Sequence, residues 1–286
     1  MKYNPVKREY KSCLILILLL ILVTVEQPFA QVRDGIKPKI EWEKVILKNY
    51  ATFKSLKDLD WGSAFLIKYN SGILAVTARD FFRSTLTHGQ ILSIRDFEKE
   101  LLGWSMYLPD EPSKYIIMDT LALRDKSEKS FSIFLYSKPI LIFALKNIHR
   151  RMIPLEPDVS RIRNKDTLFL VGYDQHNQLK IARGIVETAL HEKYADDDIR
   201  IKTDEFLNYG DFVGSPVINR EGKAVGVFNR AYRLKIDKRG RIISEKKEVG
   251  DSHFEYFING TSMRSMLGKD YISNGGKPAL NTDIPR

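Results

Sequence analysis

The chain has 286 residues, 43% of them hydrophobic, which is ample for one large or two small globular units, and its formal net charge is +10. Its single cysteine, Cys13, sits in an amino-terminal apolar run, so cleavage after that run leaves no disulfide framework, thiolate metal site or cysteine nucleophile. Residues 1–30 hold four basic and two acidic residues, so a chain without them keeps a charge of +8.

In that leader, Lys2, Lys7, Arg8 and Lys11 precede "CLILILLLILVTV" (Cys13–Val25). A membrane-spanning helix needs roughly 20 apolar residues. The run is therefore short for an anchor and has the length of a signal-peptide core. Ala30 in "EQPFAQ" suits the position before a cut, although Pro28 departs from the small-residue pattern. The expectation is export to a bacterial periplasm or the extracellular space, with membrane anchoring if the leader is retained. Cys13 opens the run instead of ending it, which argues against a lipid-modified cysteine. An exported domain without disulfides fits a bacterial envelope, where the "NGT" at Asn259 has no role.

After the leader, part of Trp42–Lys57 has a helical pattern. Beyond it come short apolar runs of strand length and composition: "SAFLIKY", "GILAVTA", "KYIIMDTLAL", "SFSIFLY", "ILIFAL", "DTLFLVGY", "LKIARGIVETA", "DIRIKT", "SPVIN", "AVGVF", "RIIS" and "HFEYFI". Turn residues such as Asn70–Gly72 and Glu221–Gly222 separate neighbours. Many short strands predict an all-β barrel or sandwich. A helix is predicted over "TSMRSMLG" (Thr261–Gly268), capped by Thr261 or Ser262, and Lys269–Arg286 reads as a polar tail. Basic residues gather between Arg230 and Lys247, where the pattern predicts a hairpin turning at Asp237–Gly240. That hairpin is either a solvated surface or a basic face for anionic lipid, polysaccharide or an acidic partner. No stacking aromatics interleave its charges, and nucleic acid is not an expected partner.

The order of these pieces resembles the trypsin-like serine peptidases, and within them the bacterial HtrA/Deg-type branch. In that branch a "GSGF" strand precedes one ending "TAAH" or "TNNH". Then follow "DLAVLK", "GD…AIG(Y/N)P……G.V", "TDAAIN.GNSGGPLVN..G.VVG" and a closing "FAIP" strand with a helix. The matching pieces here are Gly62–Phe65, Thr77–Asp80, Leu141–Lys146, Asp166–Gly172 with Gly184–Val186, Thr203–Gly226 and Phe257–Leu267. The resemblance spans roughly residues 50–268. It implies two six-stranded antiparallel β-barrels with a cleft between them and a short C-terminal helix. The corresponding division is a leader to residue 30, a first unit over 31–150, a second over 151–268 and a tail.

Carried over residue by residue, the resemblance places the general-base histidine at Asp80 and the orienting aspartate at Leu141. The nucleophilic serine falls at Val213 counted back from Pro216, or at Phe212 counted forward from Thr203, because this loop is one residue longer. Acyl transfer by this route needs a hydroxyl, a base within hydrogen-bond reach and a group orienting that base. None stands at these positions, and the extra residue is expected to displace the N–H groups of an oxyanion hole.

Other residues offer weak substitutes. Ser215 is the nearest hydroxyl but occupies a packed turn position. His88, His149, His176, His191 and His253 read as loop or strand-start histidines. Asp80 and Asp211 could converge on the former cleft, and Asp196–Asp198 lack the ligand spacing of a calcium loop. No cofactor or metal is expected. The reading is an exported, catalytically inactive homologue binding a protein or an extended peptide in or beside the former cleft, with no oligomeric state implied. The alternatives are an active serine endopeptidase with a rearranged site, and an unrelated exported all-β binding protein.

Overall fold

The structure, a computed structural model, describes residues 36, 39–55, 58–70, 72–78, 100–121, 140–174, 176–187, 198–204, 212–243 and 252–267. Asp80, His88, His191, Asp196, Asp197, Asp211, the leader, the "SFSIFLY" segment and the tail lie outside them.

Where a helix is expected in Trp42–Lys57, only a single 3-10 turn forms at Trp42–Lys44, followed by strand β1 (Leu47–Phe53). The residues of β1 alternate between inside and outside, with Leu47, Ala51 and Phe53 turned inward and the polar Asn49 among them. That period-two burial, with both edges of the strand paired, outweighs the local helical pattern. β2 (Leu59–Tyr69) and β3 (Gly72–Ala78) form the next hairpin, turned through Asn70 at φ 53°. β4 (Leu101–Leu108) was not anticipated, because Gly103 and Ser105 dilute its strand composition; Trp104, Met106 and Leu108 are nevertheless buried in alternation. With β5 (Glu111–Leu121) and β6 (Ile140–Leu145) these strands close a barrel in the order β1-β2-β3-β6-β5-β4.

The second barrel is built from β7 (Thr167–Tyr173), β8 (Leu179–Val186), β9 (Asp198–Thr203), β10 (Pro216–Ile218), β11 (Ala224–Ile236) and β13 (His253–Ser262). Their order is β10-β7-β8-β9-β13-β11, and the β10–β11 pairing closes the ring. β12 (Ile242–Ile243) rides on the far end of β11, beyond the closed part. Two closed antiparallel rings are not the two facing sheets of a sandwich, so a single-sandwich architecture is excluded. The predicted C-terminal helix is present over 263–267, where Ser262 Oγ accepts a hydrogen bond from Ser265 N at 3.1 Å as its cap.

The segment joining the barrels is strapped to both. Leu155 N donates to Leu66 O and its carbonyl accepts from Lys68 N, each at 2.8 Å. One residue on, Glu156 O accepts from Ala224 N at 2.9 Å, and Asp158 N donates to Ala224 O at 2.7 Å. A single apolar cluster runs through both barrels, from Leu47 and Phe65 to Phe169 and Phe228.

Candidate functional site at the inter-barrel turn

The bend between β9 and β10 is the sequence's one strong site candidate, and its described part is Phe212–Ser215. Phe212 is wholly buried, Val213 is 8% exposed and Ser215 is wholly buried. The turn is fixed by main-chain bonds. Ser215 N donates to Phe212 O at 2.8 Å, closing it locally. Gly214 N donates to Phe228 O, and Phe228 N to Ser215 O, both at 2.9 Å, tying it to β11. The fourth bond reaches the other barrel: Ser63 N on β2 donates to Val213 O at 2.7 Å.

Gly214 explains why the barrels can meet here. Its φ is +91°, and a Cβ on it would lie 2.0 Å from Ser63 O and 2.5 Å from Thr77 Oγ1. Only glycine combines that backbone conformation with so close an approach. Beneath it lies a buried polar chain within the first barrel. Thr77 Oγ1 donates to Ser63 O at 2.7 Å, and Asn49 Nδ2 reaches Ser63 O at 3.0 Å and Thr77 Oγ1 at 3.1 Å. Trp104 Nε1 in turn donates to Asn49 Oδ1 at 3.1 Å. Asn49, Ser63 and Thr77 are fully buried, and their mutual bonding removes the penalty that unpaired polar groups would bring to a barrel interior. Sequence reading found Ser63 and Thr77 as motif residues but missed Asn49 and Trp104. Asn49 lay in a segment read as partly helical, and Trp104 in a strand that was not recognised.

Of the candidate residues, Leu141 lies on β6 directly opposite Thr77 of β3 and is 2% exposed. An apolar side chain buried there can neither orient an imidazole nor carry charge. Ser215 Oγ is buried without a hydrogen-bond partner, against Gly172 and Phe212. His149 accepts from Arg151 N at 3.3 Å in the inter-barrel segment, His176 sits at the tip of the β7–β8 hairpin, and His253 begins β13 and lies 3.5 Å from Glu255. These three histidines are thus spread over separate regions instead of gathering at the turn. Among the described residues no cluster of three or more His, Cys, Asp or Glu side chains is arranged to hold a metal ion.

On the second barrel's side of the turn, β11 continues past Phe228 to Arg230, Ala231 and Tyr232. Their partners on one side are Asn259, Ile258 and Phe257 of β13. Along the opposite edge of these three residues, no strand among the described residues is paired. The floor beside that edge is aromatic and cationic: the Tyr232 and Phe257 rings stack with centres 5.5 Å apart, and the Arg200 guanidinium lies 4.1 Å from the centre of Phe257. Burial raises the Tyr232 hydroxyl above its ordinary value, while the neighbouring Arg200 opposes that shift.

Two closed six-stranded antiparallel barrels meet at a glycine turn delivered by the second, with a capped terminal helix after the closing strand. The fold is the trypsin-like double barrel. Solved structures of HtrA-type and Deg proteases share it at low identity. The active form of the Rv3671c protease from M. tuberculosis is similar at 15% identity and a TM-score of 0.46, over 82% of this chain and 83% of that one. The HtrA-type protease AlgW with a decapeptide gives 12% and 0.45, over 82% and 66% of the two chains. Deg5 gives 16% and 0.42, over 66% and 80%. No protein-family model and no curated protein matches the chain.

Proposed function

We propose that this double barrel is a catalytically inactive trypsin-like homologue, exported, that binds an extended peptide along the β11 edge beside the former cleft. The observation that carries the reading is the turn itself. Val213 contributes a carbonyl that docks the first barrel, while the side chains at the bend, Phe212 and Val213, are apolar and buried. Leu141 is buried beside Thr77, and the sequence has Asp80 in place of the family's histidine. The hydroxyl at the described turn, Ser215 Oγ, is buried without a hydrogen-bond partner, and the loss of one triad member alone removes several orders of magnitude in rate.

Binding needs none of these groups. An extended peptide can add to an open strand edge through main-chain hydrogen bonds, with neighbouring pockets selecting alternate side chains. Arg230–Tyr232 supplies such an edge, and Arg200 with the Tyr232–Phe257 pair supplies a surface for one of those side chains.

The test pairs a fluorophosphonate probe with casein turnover on the full chain and on Val213→Ser. Neither protein should be labelled or cleave casein, because restoring one hydroxyl restores neither base nor orienting group. Labelling of the native chain at a single serine would end this reading and favour the rearranged-site peptidase. Binding is read separately: Ala231→Pro removes an N–H and stiffens the edge, so it should abolish capture from a random peptide library that the native chain enriches.

A further inference from the structure

Five buried side-chain polar atoms among the described residues have no hydrogen-bond partner, and three of them gather on one face of the second barrel: Arg200 Nε, Asn229 Oδ1 and Asn259 Oδ1. Arg200 of β9, Asn259 of β13 and Arg230 of β11 stand on one rung of the ladder. Directly opposed residues share a face, and so do residues two apart along a strand. Phe257 and Thr261 therefore flank Asn259 on that face. The Arg200 guanidinium lies on it too, 4.1 Å from the centre of the Phe257 ring. Asn229 falls at the register shift between Phe228 and Arg230, and its Nδ2 donates to Thr261 Oγ1 at 2.7 Å. That bond brings the Asn229 amide to the same face and leaves its oxygen unserved.

Buried polar groups without partners are costly, and a protein interior ordinarily satisfies them. The first barrel does so with Asn49, Ser63 and Thr77, which bond one another. Here the unserved atoms define a chemistry instead. Two amide oxygens accept, and the guanidinium N–H donates. A carboxylate offers acceptors alone and leaves both oxygens unserved. An ammonium offers donors alone and meets Arg200 with like charge. A primary carboxamide has a carbonyl oxygen for Arg200 and two N–H groups for the two asparagines.

We propose that this face is a subsite for a glutamine side chain of the peptide that adds along the β11 edge, an inference that rests on the edge-binding reading above. The peptide residue paired opposite Arg230 presents its side chain on this face. Its approach passes Arg230, the exposed member of the rung. Two strand spacings of about 4.8 Å separate a peptide main chain on the edge from β13, which favours glutamine over the shorter asparagine. A site built to hydrogen-bond an amide rejects analogues lacking it, because its own buried groups are then left unpaired. Turned over, both asparagine amides would present donors and select glutamate, and the experiment separates these two cases.

The test uses the full chain and four decapeptide libraries. Each has one central residue fixed as glutamine, glutamate, asparagine or methionine, with the other positions random. The glutamine set should be captured at least tenfold better than each of the other three. Asn259→Leu removes one acceptor and keeps a branched side chain of similar outline. It should erase the glutamine preference while capture of the methionine set stays unchanged, since main-chain addition to the edge is untouched. The native chain's preference is read without any variant, so misfolding of Asn259→Leu would not remove the test. Equal capture of the four sets, as buried waters on the three atoms would give, overturns the subsite and leaves edge binding standing. Better capture of the glutamate set, or a glutamine preference retained in a folded Asn259→Leu, overturns it likewise. Capture of no set ends the edge reading itself, and the subsite with it.

Discussion

Gly214 is confined by its φ and by Ser63 O and Thr77 Oγ1, which leave no room for a Cβ. Gly214→Ala adds both a left-handed backbone penalty and an overpacked contact, and is expected to destabilise by about 2–5 kcal/mol in chemical denaturation. Asn49 is the other residue on which the junction depends. Asn49→Ala leaves the Trp104 indole N–H and the Ser63 carbonyl short of a partner in the barrel interior. A loss of roughly 1–3 kcal/mol should appear in the same measurement. Gly172→Ala places a methyl 2.5 Å from Ser215 Oγ and 2.6 Å from Phe212 Cδ1. It should destabilise as well, and Ser215→Ala should recover part of that loss in the double variant, since the two positions share one space.

Among the elements, the turn at Asp237–Arg241 between β11 and β12 carries a pH prediction. Hydrogen bonds from the Arg241 and Arg239 N–H groups and from the Arg241 side chain hold the Asp237 carboxyl below its ordinary value. A depressed folded value means that the turn's stabilisation is complete above the unfolded value, about 3.9. It is lost as pH falls through the lower folded value. Arg239 and Arg241 amide resonances should therefore hold steady from neutral pH to about 4 and move below it; in Asp237→Asn this transition should vanish. The elements also differ in how readable they were. The Asp237–Gly240 turn and the helix cap at Ser262 follow from local chemistry, and both are present. β1 and β4 depend on barrel closure, in which β1 is paired on both edges and β4 contributes Trp104 to a polar chain starting from β1. No local window of "LKNYATF" or "LLGWSMYL" carries that information.

For the whole molecule, the apolar runs and turn residues led as far as an all-β barrel or sandwich, and the resemblance to the trypsin-like peptidases supplied the two barrels. The junction was legible only in part. The glycine turn was visible, whereas its partners Asn49 and Ser63 stand far from it in sequence and are tied to it through the fold. The strap at Leu155–Asp158 makes the barrels one mechanical unit, so thermal or denaturant unfolding should follow a single transition with both barrels reporting together. Leu155→Pro removes the N–H that bonds Leu66 O and disturbs the strap on one side only. Two resolved transitions in that variant, against one in the native chain, are the expected outcome.

All four bonds that fix the turn at Phe212–Ser215 are made by the main chain. Such bonds do not depend on which side chain a codon specifies. The turn can therefore exchange its side chains at 212 and 213 for others of suitable bulk while its joinery stays whole, and a mutational library should find 213 permissive beside an intolerant 214. Position 213 is thereby left free to vary within the limits of packing while the junction between the barrels keeps its bonds.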